Sequence, residues 1–419
     1  MRPLRRRPVD LAVSAAIVVA LVIAATAAWY FSSARRTTLT PATATPSAQP
    51  YPAGVPASLR QLWTARSADT RSPQITDAVV VTGDDRTVAG RDPATGRVLW
   101  SYRRSLPLCG VLAAWSPSTP TALSAYRNSR GCGEVTAIDA SKGVRRFTRS
   151  SDADTAVTLQ SDGGYVLSLG ATRLETWGSN LVRGIEYGRV DARVKPDRGP
   201  HDGSGCRISS GMTSGDRVAL VEHCTGDAGY RLTVVGAVVD KDEKISLYGT
   251  TVITSGTAFA PPVVVAMSES AVAVYDGGAN SPEPTPPSIR AFDSDGNETG
   301  RHRVPGGPEL PRGEVSTDAE GLATVWTGSA TVAIDTTTMR PTFTVPDTRG
   351  PGVSVDGRML IPDARGYLVV DAATGHRIGD LPVPREPGTD APIVPALIGA
   401  QVVEQRGPTI TAYGPATPR

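Results

Sequence analysis

The chain has 419 residues, 40% of them hydrophobic and 20% charged, a composition that excludes wholesale disorder. Its formal charge of +2 is unevenly placed: residues 1–36 hold six Arg (Arg2, Arg5, Arg6, Arg7, Arg35, Arg36) and one Asp (Asp10), so +2 less +5 leaves −3 on the rest. That excludes a basic field for nucleic acid beyond the first segment.

Residues 1–10 form a short basic segment. Residues 11–31 are apolar apart from Ser14, Thr26 and Tyr30. As a helix they span about 31 Å, the thickness of one hydrocarbon core. Arg5, Arg6 and Arg7 precede the run, so the N-terminus is expected to stay in the cytoplasm and the bulk to cross. Trp29 and Tyr30 fall where an interfacial aromatic belt belongs. A cleaved signal peptide ending near Ala25-Thr26-Ala27 is the competing reading, but the apolar run exceeds the about 7–15 residues of such a segment. Both readings place the bulk outside the cytoplasm.

Residues 32–58 read as a linker rich in Thr, Pro and Ala. Thr37–Pro56 has too few apolar residues for a core and is expected to be extended, a spacer reaching up to about 60 Å in the polyproline II form.

Beyond it, a spacing recurs: Asp, Gly four residues later, an aromatic eight residues later. Asp92, Gly96 and Trp100 keep all three members, as do Asp139, Gly143 and Phe147. Asp371 and Gly375 keep the first two; Asp335 and Phe343 keep the outer two, with Met339 between them; Asp293 keeps only the turn. Each Asp ends a short apolar or alternating run such as VTAID, IRAFD, TVAID or YLVVD. The Asp bonds its own backbone, Gly takes a positive φ, and the aromatic lies on the following strand. Third strands are expected near Val88, Val135, Arg173, Leu232, Ile289, Val332, Leu368 and Ile410. Their spacing of roughly 35–60 residues suits the blades of a β-propeller. The expected fold is all-β, about eight four-stranded blades over residues 59–413, with seven as the other count the spacing allows and 414–419 as a tail.

Leu62-Trp63-Thr64-Ala65-Arg66 resembles the outer strand Leu99-Trp100-Ser101-Tyr102-Arg103 but has no strands before it. The last unit has no outer strand after it. Leu62 and Trp63 are therefore expected to complete the last blade and close the ring, because an open ring would leave a sheet edge exposed.

On these motifs the chain resembles the pyrroloquinoline-quinone-like β-propeller family, whose repeats carry an Asp-x-x-Thr-Gly turn with a Trp four residues after the Gly. The likeness is clearest over Ala78–Tyr102 and Tyr367–Gly379 and extends to Val135–Phe147. Lys is scarce while Arg, Ala, Val, Gly and Pro dominate, as in GC-rich coding of the actinobacterial kind. The resemblance implies a fold. It also implies quinone and calcium in the channel for the family's dehydrogenases, several of which stack the quinone on adjacent cysteines; no two Cys are adjacent here.

Four Cys occur beyond the membrane segment. Three pairings are open, and Cys109–Cys132 with Cys206–Cys224 is favoured because each brackets a short stretch that can fold back. A zinc site from His201, Cys206, His223 and Cys224 is disfavoured, since neighbours on a strand face opposite sides. Asp293–Glu298 resembles part of a calcium loop but stands where the repeat needs a turn. His302 and His376 are expected on the surface, and Trp63, Trp100, Trp177 and Trp326 between blades. Val194–Gly205 and the Pro-rich insertion Gly277–Ser288 are the loops where a partner could bind, with a tolerated insertion as the favoured alternative for each. No nucleophile elbow, P-loop, dinucleotide fingerprint, zinc-protease or haem-attachment motif occurs.

The expected function is a non-catalytic scaffold or binding protein of the cell envelope, on the plasma membrane through one helix. Its partner would be an envelope protein or a cell-wall polymer, with no nucleic acid, no metal and no cofactor assigned. The alternative is a quinoprotein-type enzyme binding pyrroloquinoline quinone in the channel. A sensor is the third reading, weakened by a cytoplasmic part of about ten residues.

Overall fold

The computed structural model describes residues 8–32, 35–52, 54–190, 200, 204–253, 260–279, 284–311, 315–317, 321–385 and 391–416. Pro8–Phe31 is one helix, with none of its residues buried against the rest of the chain. Pro8 stands at its first turn, where a missing N–H removes no helical bond, so the helix begins three residues before the apolar run.

The remainder is an eight-bladed β-propeller. Blade 1 consists, from the inside outward, of Gln74–Ile75, Val80–Asp84, Thr87–Arg91 and Val98–Arg103. Blades 2 to 7 follow over 108–150, 158–188, 207–253, 263–303, 315–346 and 353–382, each four antiparallel strands in chain order. Blade 8 takes Ile393–Ile398, Gln401–Arg406 and Thr409–Pro415 from the end of the chain and Leu59–Arg66 as its outer strand. The register sets Gln61 opposite Tyr413 and Trp63 opposite Ala412. The last strand runs two residues past the expected boundary at 413. Seven blades was the other count the repeat spacing allowed; the ring has eight.

The second strands are buried over nearly their whole length, as in Val80–Gly83 and Arg217–His223, because each sheet is covered on both faces by its neighbours. Apolar clusters join successive blades; one contains Val81, Trp100 and Tyr102 of blade 1 with Tyr126 and Ile138 of blade 2.

The Asp-x-x-x-Gly turns are built alike. The Asp92 carboxylate accepts from the Thr95 N–H at 2.9 Å and its hydroxyl at 2.8 Å, and the Gly96 N–H donates to the Asp92 carbonyl at 2.9 Å. Asp371, Thr374 and Gly375 repeat this at 2.9, 2.7 and 2.8 Å. Asp139 accepts from the Ser141 and Lys142 N–H groups, and Asp335 from Thr338. The Thr338 N–H and hydroxyl hold the Asp335 carboxyl below the usual range.

Gly96, Gly143 and Gly375 have φ near +70° and lie under an aromatic ring of the preceding blade. A Cβ on Gly96 would sit 2.5 Å from Cγ of Trp63; on Gly143, 2.5 Å from Cγ of Trp100; on Gly375, 2.5 Å from Cγ of Phe343. Each of these aromatics follows a β-bulge by one residue, the extra residues being Leu62, Leu99 and Thr342. The bulge re-aims the side chain toward the neighbouring turn. Phe147 follows a bulge too but is 45% exposed, since the corresponding turn of blade 3, Gly178–Leu181, has another shape.

Two departures from the motif have a structural reason. Blade 7 has Gly379 where the aromatic belongs, with nothing within 4 Å of a Cβ there. Blade 8 draws its outer strand from the other end of the chain, so it has no such turn to receive a ring. Blade 5 has Gly300 at that position, and the turn it faces carries Met339 at φ +55°. Met339 is fully buried in the cluster joining blades 5 and 6, so the ring and the glycine are replaced together by a thioether chain.

The linker is not the free spacer expected. Thr38–Thr40 pairs antiparallel with Val98–Arg103 as a fifth strand of blade 1, Thr38 opposite Arg103 and Thr40 opposite Ser101. The open edge of an outer strand accepts a Thr-Leu-Thr segment of good strand propensity, and pairing satisfies both edges. The Ala42 N–H then donates to the Lys142 carbonyl at 2.9 Å, and the Gln49 N–H to the Asp77 carbonyl at 2.7 Å. The Tyr51 hydroxyl reaches the Ser354 carbonyl at 3.4 Å, and Val55 packs against the cluster that holds Val355 and Tyr367. The segment is a strap that touches blades 1, 2, 8 and 7 on the face that carries the Asp turns.

Candidate functional site: the central channel

The inner strands surround a cavity of about 770 Å³, walled by Ala68–Ile75, Cys109–Ala113, Val157–Asp162, Met212–Ser214 and Met267. A second space of about 380 Å³ shares Thr70 and Arg71 and continues to Pro311, Val394 and Gln405. Arg71, exposed, borders both.

The wall is held by bonds between blades. The Gln74 side chain accepts from the Ala113 N–H at 2.9 Å, and the Ser210 hydroxyl from the Val264 N–H at 3.0 Å. Gln160 donates to the Gly211 carbonyl. Gln405 of blade 8 donates to the carbonyls of Ser67 and Thr70 at 3.0 and 2.6 Å, and so fixes the passage from the closing strand into blade 1. These amides are engaged in joining blades.

Asp69 differs from the other channel carboxylate. Asp162 accepts the N–H groups of Gly164, Tyr165 and Gly215. Oδ2 of Asp69 is buried without a hydrogen-bond partner. Burial, then the charges of Asp84 and Asp85, push the Asp69 carboxyl up to about 6; the Asp85 N–H and Arg66 oppose them. The channel therefore presents one easily protonated acid, one Arg, hydroxyls and two thioethers, Met212 and Met267.

Cys109 lies in the wall and is bonded to Cys132, with Cα atoms 6.0 Å apart; Cys206 is bonded to Cys224. The Cys206 and Cys224 sulfurs and a Glu222 oxygen lie together, but both sulfurs are in the disulfide and Glu222 accepts from Tyr187 and Thr233. His223 is exposed and turned toward Tyr230, and His201 lies outside the described residues. Both Asp293 oxygens accept from Asn297, and one also from the Asp295 N–H, which makes that segment a turn. His376 is exposed. His302, expected on the surface, is half-buried with Nε2 shielded from solvent. Most of Val194–Gly205 and the centre of Gly277–Ser288 lie outside the described residues; the ends of the second loop pair as Ala279 with Thr285.

The indole N–H groups are occupied at the seams. Trp63 donates to Pro93 at 2.8 Å, Trp100 to Ala140 at 2.6 Å, Trp115 to Gly164 at 2.8 Å and Trp326 to Thr348 at 3.0 Å, each to a carbonyl. Trp177 donates to Glu175 at 2.9 Å. Among the described residues no aromatic ring lines the large cavity. The quinone of the resembled family is a flat polyanion held by stacking. The described wall offers it neither a ring nor adjacent cysteines, and these residues do not fit that group.

Sequence reasoning missed a set of buried carboxylates that tie blades together. Glu175 of blade 3 meets Arg149 of blade 2 at 3.1 Å and Arg173 at 2.7 Å. Glu222 of blade 4 accepts from Tyr187 of blade 3 at 2.9 Å. Glu404 of blade 8 accepts from Tyr367 of blade 7 and from Arg385, both at 2.6 Å. The available signal was a single Glu continuing an apolar strand, as in LVE222 and VVE404. Such a residue is buried only when paired.

No protein-family model and no curated protein matches the chain. Among solved structures it is similar to the quinohemoprotein alcohol dehydrogenase ADHIIG from Pseudomonas putida HK5. The TM-score is 0.50 at 12% identity, over 86% of this chain and 78% of that one. A second similar structure is the dihydro-heme d1 dehydrogenase NirN in complex with DHE, at a TM-score of 0.44 and 12% identity, over 81% and 78%. The chain has an eight-bladed β-propeller fold like that of the alcohol dehydrogenase, with one N-terminal helix long and apolar enough to span a membrane.

Proposed function

We propose that the chain is a non-catalytic scaffold of the cell envelope. Its helix Pro8–Phe31 sits in the plasma membrane with the N-terminus inside, and the propeller stands outside as a rigid surface for an envelope protein or a wall polymer. The observation that carries this reading is the strap: the segment after the helix is built into blade 1 and packed across blades 8 and 7. A tether fixed to the ring suits a platform held in one attitude. Two disulfides support an extracytoplasmic location. The test is photocrosslinking in intact cells from Thr95 on the turn face and Ser129 on the opposite face. One recurrent adduct from a single face supports the scaffold; no adduct from either, with no envelope defect on deletion, removes its support.

The second reading is a quinoprotein-type enzyme; the size of the channel cavity supports it, and the lack of a ring or of adjacent cysteines in the described wall weighs against it. Titrating the protein with pyrroloquinoline quinone and calcium, followed by absorbance, decides between them. Saturable binding with a shifted quinone spectrum would favour the enzyme.

A further inference from the structure

The helix ends at Phe31 and the fifth strand of blade 1 begins at Thr38, so seven residue steps separate them. Fully extended, they reach about 25 Å. Arg35 shortens this further, its guanidinium 4.0 Å from the Tyr30 ring centroid. The chain leaves the propeller at a definite corner. Thr38 is opposite Arg103, at the end of the outer strand from which blade 1 passes to blade 2. There the Arg104 N–H donates to the Arg86 carbonyl at 3.2 Å, and the Arg127 N–H to the Pro107 carbonyl at 3.0 Å. The corner thus gathers the exposed side chains of Arg86, Arg103 and Arg127. Among the described residues no carboxylate pairs with Arg103 or Arg127, and the contact of Arg86 with Asp85 is 3.8 Å long and solvent-exposed. Arg35 and Arg36, also exposed, lie on the tether itself.

We propose that this corner of blade 1 rests in the headgroup layer of the bilayer that holds the helix. Arg86, Arg103 and Arg127 contact acidic phospholipid there, while the strapped face with its Asp turns is directed away. The inference rests on the membrane-anchor reading. The short tether lets the corner reach the headgroups, and fixed cations brought within a Debye length, about 8–10 Å, of anionic lipid are drawn to it.

The full chain is reconstituted into vesicles of phosphatidylglycerol and phosphatidylcholine that contain a nitroxide-headgroup quencher. Fluorophores are placed on Ser129→Cys, beside the corner, and on Thr299→Cys, on the outer strand of blade 5 across the ring; the native cysteines are paired and do not label. The Ser129 site is expected to be quenched at least threefold more than the Thr299 site. The excess should fall when phosphatidylglycerol is omitted and when Arg86, Arg103 and Arg127 are all replaced by Gln. Equal quenching at both sites, or an excess indifferent to lipid charge, overturns the proposal. Alkaline carbonate extraction separates the two levels. A chain that washes off overturns the anchor reading and this inference with it, whereas a retained chain with equal quenching overturns this inference alone.

Discussion

The Trp63 ring packs against Gly96, 33 residues further along the chain, and its N–H reaches the Pro93 carbonyl of the same turn at 2.8 Å. One contact thus joins the strand that closes the ring to the first turn of the first blade.

Replacing Gly96 by Ala tests that contact. The new Cβ meets the indole and the residue is held at φ +70°. The left-handed conformation costs about 1–2 kcal/mol and the overpacking about 1–3 kcal/mol. Gly357→Ala is the control, at φ +68° with nothing within 4 Å. Urea unfolding of the full chain in detergent should show a loss of about 3 kcal/mol for Gly96→Ala and about 1 kcal/mol for Gly357→Ala. Equal losses would mean that the ring does not bear on the turn.

The blade 7–8 seam is tested through Glu404. Its side chain is fully buried and Arg385 is nearly so. Glu404→Ala leaves an unpaired guanidinium inside the protein and should destabilise it by about 3–5 kcal/mol. Glu404→Leu combined with Arg385→Met removes both charges and should recover part of that loss, the buried Tyr367 hydroxyl still lacking its acceptor. Measured midpoints in which the double variant is no better than the single would show that the two residues act separately.

Asp69 sets a pH dependence. Its folded-state pKa of about 6 lies above the ordinary 3.8. The stability linked to its proton is complete below about pH 4 and is lost as pH rises through 6. Asp69→Asn carries no charge at any pH. Its melting temperature should exceed the parent's at pH 7.5 and converge with it at pH 4. Parallel curves across that range would place the Asp69 carboxyl in water.

Each disulfide closes a short loop, of 23 residues for Cys109–Cys132 and 18 for Cys206–Cys224. By loop-closure entropy each contributes about 3 kcal/mol. Paired Cys→Ser variants should therefore melt earlier and still fold, because every blade has its own buried strands. Loss of the β-sheet circular dichroism spectrum at 25 °C in either variant would make the bond a condition of folding.

Much of the ring was legible because its signals are local. Asp and Gly four apart after a short apolar strand favour a turn, and the apolar runs mark the buried second and third strands. The closing strand was legible because Leu62–Arg66 copies Leu99–Arg103 and lacks strands of its own. Three things were not legible. The bulges at Leu62, Leu99 and Thr342 leave no mark in composition. The meaning of Met339 and Gly379 depends on which blade faces which, a relation between residues far apart. The docking of Thr38–Thr40 depends on an open strand edge, and a Pro-rich segment reads as extended whether or not it finds one. The channel was the least legible part, since its wall comes from strands of several blades and its one distinctive acid, Asp69, sits in an ordinary polar stretch.

The strap also decides how mechanical load enters the molecule. Tension on the helix reaches Thr38–Thr40 first and must break their backbone pairing with Val98–Arg103. Only after that would it pull on the Lys142, Asp77 and Ser354 contacts in turn, and last on Leu59–Arg66. The clasp of the ring is thereby shielded from tension on the helix by a series of sacrificial attachments, so that a pull there loosens the leash before it opens the circle.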